Sequence, residues 1–296
     1  MKYTIAAVSV LLCAANAHAS TVLNTSLPAL NGSFGGGVAT TVTGPAGTTT
    51  TVVGPAGGAN RASAANNGSW YQTDVGGGAS VGITTTYLND NGSIYFNTVG
   101  TASKADLSYA FTSLVPLSSF VGASFQFYRD GASTAAQVAP VLRLGIFRDN
   151  GNNNISFAGF LILDNFSATG NIAPDNVWTT VSATQTTSNF YTTNAALGPT
   201  FTAGQKTIAG WVSANSATPL YVFGVNTGVG SGWGNNFAGA VDHIQFDFTG
   251  GPQGNFDFAV AGAPIPEPQS WALLIAGFGL TGAALRRRRL VTTQAG

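Results

Sequence analysis

Apolar and polar positions along this chain alternate in short runs broken by turn residues, a strand pattern rather than a helical one. Ile244, Phe246 and Phe248 alternate with His243, Gln245 and Asp247. Successive strand side chains point to opposite faces, so this run predicts one dry and one wet face. A Gly-Gly-Pro-Gln-Gly-Asn loop follows, after which Phe256, Phe258 and Val260 repeat the alternation. Upstream, residues 81–88 and 93–99 flank Asn89-Asp90-Asn91-Gly92, a hairpin signal. Residues 124–128 run into the turn Arg129-Asp130-Gly131. Residues 141–148 and 155–163 are strongly apolar and flank a turn of Asp149, Gly151 and several Asn. They predict central strands with little face open to water. No long amphipathic helix is predicted in the body. The whole predicts an all-β fold: a β-sandwich, jelly-roll-like, over residues 68–262.

The two ends break this pattern. Lys2, an apolar run over residues 5–15 and Ala17-His18-Ala19 form the three parts of a secretory signal peptide over residues 1–19, with cleavage after Ala19. Cys13, the chain's one cysteine, lies inside that run, so cleavage leaves no thiol for disulfide, metal or nucleophile. Residues 20–67 are a low-complexity Gly/Thr/Pro-rich segment in which Gly-Pro-Ala-Gly occurs twice after Thr/Val runs. It reads as a flexible or edge-hairpin segment.

At the other end, residues 263–296 begin as a proline stalk. Pro264, Pro266 and Pro268 block helix there. An uncharged apolar run then covers 271–285 and stops at Arg286, Arg287, Arg288 and Arg289. As a helix it would span roughly 22 Å, short of the ~30 Å hydrocarbon core. Trp271 and the arginines are interface anchors that extend its reach. One C-terminal transmembrane helix is therefore expected, its arginines on the cytoplasmic side and the body outside.

The order Pro266-Glu267-Pro268, two residues, Trp271-Ala272, an apolar helix and an arginine cluster resembles a PEP-CTERM sorting tail in its PEPxxWA form. The resemblance covers about thirty residues. It implies recognition by an exosortase, a membrane-embedded processing enzyme, and delivery to the cell surface or extracellular matrix. It further implies association with exopolysaccharide and biofilm.

Charge and composition narrow the function. Charged residues are only 7% of the chain, against about a quarter in ordinary soluble domains. Between signal peptide and tail stand six basic residues and ten Asp, a net charge of −4. That excludes an electrostatic footprint for nucleic acid.

Catalytic residue types are scarce. Asp242 and His243 are neighbours on a predicted strand, and so are expected on opposite faces, unable to pair without a bulge. No nucleophile elbow is present. Asp247 and Asp257 share a predicted wet face, and a glycosidase would need two such carboxylates about 5 to 9 Å apart; solvated surface aspartates are the expected reading. The body is expected to be no enzyme. No cofactor is expected beyond calcium, for which Asp90 and Asp149 offer oxygen ligands in turns outside EF-hand spacing. A single His and no Cys in the body argue against zinc.

Trp233, in a glycine-rich loop, is the candidate for an exposed aromatic platform. The function expected is a sorted surface or matrix protein with structural or adhesive duty. A carbohydrate-binding module using loop aromatics is the alternative, and a secreted hydrolase the third reading.

Overall fold

The computed structural model describes residues 19–27, 34, 68–134, 138–151, 155–230, 236–262 and 278. By its contacts the chain forms two units, Met1–Val260 and Ala261–Gly296. The first is a sandwich of two β-sheets.

Sheet B runs β2(Trp70–Gly76), β5(Lys104–Pro116), β10(Leu220–Val229), β7(Val141–Asp149) and β8(Ile155–Leu163) in that order. Sheet A is centred on the long strand β11(Asn236–Phe248). One edge of β11 pairs with β6(Phe120–Arg129), which pairs in turn with β9(Trp178–Thr184). The other edge is shared. Residues 236–241 pair with β4(Gly92–Val99), whose outer neighbour is β3(Ser80–Asn89), and residues 244–247 pair with β12(Gln253–Ala259). β1(Ser20–Leu23) lies parallel to β12. The strands from β4 to β7 alternate between the sheets, as do those from β8 to β11. Two short helices, α1(Asn165–Thr169) and α2(Ile208–Ala214), lie in the connections.

The core between the sheets is phenylalanine-rich. Phe96, Phe111, Phe120, Phe125, Phe127, Phe237, Phe246, Phe248 and Phe258 are buried there with Ile94, Leu107, Leu144 and Val225. In β4 and β6 these residues alternate with outward-facing ones, the periodicity that predicted a strand. The expected β-rich body is therefore present.

Two expectations change. Residues 155–163 were expected in a central strand, but β8 is the last strand of sheet B, and β10 is the central one. β8 is apolar because the segment after β9 covers it, with Tyr191 bridging Ile162. Within the segment expected to precede the body, Ser20–Leu23 joins sheet A and Phe34 is buried beside Tyr71 and Phe223 on sheet B. Among the described residues no helix is long and apolar enough to cross a membrane. The expected span 271–285 lies outside the described residues apart from Phe278.

Candidate functional site

The outer face of sheet A carries the polar and aromatic side chains that the core excludes. Strand register stacks them into rows. In the first row Tyr95 of β4, Ala240 of β11, Tyr128 of β6 and Trp178 of β9 are direct neighbours. Tyr87, from the end of β3, folds over this row. Its ring stacks on Tyr128 at 4.7 Å between centroids with 24° between planes, and lies 5.8 Å from Tyr95. Trp178 is 5.7 Å from Tyr128. Ala240 has no side chain beyond Cβ, which leaves room for the Tyr87 ring between its neighbours. All four rings are half-buried, so each presents an apolar surface with a polar tip in reach of water.

Hydrogen bonds fix this strip. The Tyr87 hydroxyl donates to Asp130 Oδ2. That bond, with the Ala132 N–H, holds the Asp130 carboxyl below its ordinary range. The Trp178 indole N–H donates to the Leu88 carbonyl at 3.1 Å. Asn89 Nδ2 donates to Gln126 Oε1 at 2.7 Å, so the β3–β4 hairpin tip lies on the face of the sheet.

Beyond the tip are two polar rows. One is Asn255, Gln245, Ser124 and Ser182; the next is Gln253, Asp247, Gly122 and Thr184. Their members on β6, β11 and β12, with Ser20, border an open groove of about 600 Å³. That is within the range of ligand pockets, ~300–1,000 Å³. Asp247 Oδ1 in this groove receives no hydrogen bond.

The expected separation of Asp242 and His243 is overturned. β11 carries a bulge between Asp242 and Gln245, and His243 sits there with φ +49°. The extra residue breaks the alternation and brings His243 Nδ1 to 3.4 Å from Asp242 Oδ2. Asn89 Nδ2 lies 3.0 Å from the same Nδ1. Burial pushes the Asp242 carboxyl up to about 8, although two backbone N–H groups act against it. Burial also raises Asp257.

Asp247 and Asp257, weighed as a carboxylate pair against solvated surface aspartates, stand apart. Asp247 faces Gln253, four residues along β12 from Asp257, a separation of roughly 13 Å. Asp257 belongs instead with Asp242 and His243. Of the two calcium candidates, Asp90 lies at this cluster, its Oδ2 3.4 Å from His243 Nε2. Asp149 accepts from the Gly151 N–H of its own turn at 2.8 Å.

Trp233 lies outside the described residues, as do Ala17, the sorting residues Pro266, Glu267, Pro268, Trp271 and Ala272, and Arg286 to Arg289. Trp70 and Trp211 are core residues. The aromatic row was missed in the sequence, yet a signal was there: Tyr95 stands on the wet face between inward-facing Ile94 and Phe96, and Tyr128 follows inward-facing Phe127. The bulge also had one. The dry residues of β11 fall on odd numbers at Phe237 and Val241 and on even numbers from Ile244 onward. Such a change of parity within one strand requires an extra residue.

This is a mostly β sandwich on a chain whose tail carries a sorting element. Residues 264–289 match the PEP-CTERM protein-sorting motif. The chain is thus a PEP-CTERM domain-containing protein, and the motif marks it as exported. A comparison with curated proteins gives no match. Among solved structures, a family 11 carbohydrate-binding module from Clostridium thermocellum in complex with a β-1,3-1,4-mixed-linked tetrasaccharide is 14% identical, with a TM-score of 0.34 over 60% of this chain and 86% of that one. The family 11 module of the cellulosomal cellulase Lic26A-Cel5E of the same organism is 13% identical, with the same coverage and TM-score. A likeness that loose carries no conclusion about a ligand.

Proposed function

We propose that this protein is delivered to the cell surface through its tail and signal peptide, processed there by an exosortase-type enzyme, and holds extracellular polysaccharide on the outer face of sheet A. One observation carries the glycan reading. A row of half-buried Tyr95, Tyr87, Tyr128 and Trp178 shares a face with a groove floored by amides, hydroxyls and a carboxylate. Sugar rings need both surfaces: C–H faces pack on aromatic rings, and hydroxyls bond to amide and carboxylate groups. Rows on one face repeat every second residue, about 7 Å, so aromatic strip and groove suit an extended chain rather than a single sugar. The duty proposed is non-catalytic, structural or adhesive. Asp247 and Asp257, the carboxylates weighed as a glycosidase pair, stand well apart in the ladder.

The test is a titration of the purified protein with the producing cell's own polysaccharide, followed by tryptophan fluorescence. Trp178→Ala and Gln245→Ala are each expected to weaken binding at least about tenfold, the equivalent of ~1.4 kcal/mol. A wild-type protein that gives no response, or variants that bind as the wild type does, would remove the glycan reading. Release of reducing ends in the same mixture would remove the non-catalytic one.

A further inference from the structure

Three chain segments far apart in sequence meet where β11 changes neighbours. Asp242 is fully buried there. Its Oδ1 accepts from the His243 N–H at 2.8 Å and the Phe258 N–H at 3.0 Å. Its Oδ2 receives no hydrogen bond, and faces His243 Nδ1 at 3.4 Å. Asn91, in the β3–β4 turn, is only 5% exposed, and its Oδ1 is also without a donor. Its side-chain amide hydrogen-bonds to the Asp257 carboxyl, acting against the rise that burial causes there. Asp257 Oδ1 on β12 is the third buried oxygen with no donor. The ligand atoms of Asp242, His243 and Asp257 all lie within 4.8 Å of one another. Asp90 stands at the open side, 69% exposed, with Oδ2 directed at His243 Nε2.

An acceptor buried without a donor is costly, and more so when it is a carboxylate. Three in one cluster call for a partner that satisfies several lone pairs at once. We infer that Asn91 Oδ1, Asp242 Oδ2 and Asp257 Oδ1 are ligands of a calcium ion, with Asp90 completing the site on its exposed side. The donor-less atoms are all oxygens, the ligands calcium takes. Calcium–oxygen bonds of about 2.3–2.6 Å bridge atoms up to roughly 5 Å apart, and water fills the remaining positions of its irregular shell. Both ring nitrogens of His243 already face other side chains, Asn89 at Nδ1 and Asp90 at Nε2. A nitrogen-seeking metal such as zinc therefore finds no free imidazole.

The ion ties the hairpin tip to β11 and β12. Tyr87 and Leu88, which complete the aromatic strip, stand just before that tip. Calcium would thus order the face proposed to hold glycan. That coupling rests on the proposed function; the ion site itself does not.

The test uses the full chain in detergent, stripped of metal by chelation and free of glycan. Terbium, a calcium substitute, is excited through the neighbouring tyrosines and competed off with calcium, and melting is followed in parallel. Expected are saturable terbium emission, calcium displacement with a Kd of about 1 mM or tighter, and a Tm rise of roughly 5–10 °C at a hundredfold excess over Kd. Asp257→Asn is expected to weaken binding at least about tenfold. Asp90→Asn, exposed and able to keep the left-handed turn, secures the result should Asp257→Asn not fold; it too should bind more weakly. The site is overturned if calcium neither displaces terbium nor moves Tm, if both variants bind as the wild type does, or if zinc shifts Tm and calcium does not. Glycan titration with calcium and with EDTA is a separate arm. Calcium binding without glycan binding would sink the proposed function and leave the ion site standing.

Discussion

Single side chains decide how much charge this low-charge body buries. Arg143 of β7 and Asp106 of β5 are both nearly buried and meet at 2.8 Å. Arg143 also donates to Asn226 Oδ1, and Asn226 Nδ2 donates to Ser108 Oγ at 2.7 Å. Burial raises the Asp106 carboxyl above its ordinary value, and the Arg143 guanidinium works against that rise. Arg143→Met leaves a buried carboxylate with its main counter-charge gone. The expected cost is about 3–5 kcal/mol, read by urea denaturation, and Arg143→Met combined with Asp106→Asn should recover part of it. A double variant no better than the single one would show that the pair is not what holds these strands. On the other sheet, the Tyr87 hydroxyl keeps the Asp130 carboxyl low. A folded value below the unfolded one contributes stability above the ordinary carboxylate range, about 3.9. That contribution is lost as pH falls through the folded value. Tyr87→Phe should therefore raise the Asp130 midpoint and remove this part of the acid sensitivity. Carboxyl-carbon NMR titration measures it; an unchanged midpoint would mean that Tyr87 is not the controlling donor.

At the scale of elements, the β3–β4 hairpin matters most, because it carries both the strip and the proposed ion ligands. Gly92, the first residue of β4, is buried against β12. A Cβ there would fall 2.8 Å from the Phe258 carbonyl oxygen and 3.0 Å from Ala259 Cα. Those atoms are backbone and cannot swing aside. Gly92→Ala is expected to cost about 1–3 kcal/mol and to displace the tip, so calcium and glycan affinities should fall together. A variant as stable as the wild type would show that β12 yields at this point. The hairpin itself was legible in the sequence, since Asn-Asp-Asn-Gly stands between two β-prone runs. So were β11 and β12, because local alternation reports which face is dry. Strand order was not legible. An apolar run such as β8 reads the same whether its cover is a neighbouring strand or a returning loop. The site was half legible: Asp90, Asp242, His243 and Asp257 were all singled out. Their meeting depends on a bulge at His243, a non-glycine residue with positive φ, and on a hairpin packing over a strand about 150 positions later, which no local pattern encodes.

At the scale of the whole molecule, folding and sorting are carried by separate parts of the chain. The last body strand ends at Ala259, and the Val260 N–H after it donates to the Asn91 carbonyl at 3.2 Å. The sorting motif begins at residue 264. Pro266 and Glu267 follow the last body strand in the sequence, so replacing them is expected to leave the core untouched. Pro266→Ala with Glu267→Ala is thus expected to leave the melting temperature and circular dichroism of the body unchanged while blocking processing. The uncut chain should then collect in the membrane fraction, its apolar run still bounded by Arg286 to Arg289. Mass spectrometry of protein from envelope and medium reads both ends at once. Wild type should start at Ser20, the first residue of β1, and end near the Pro-Glu-Pro element; the variant should share that start and keep its tail. A start inside β1 would remove the strand that lines the groove beside β12. A variant trimmed and released like the wild type would show that the processing enzyme reads something other than this proline handle.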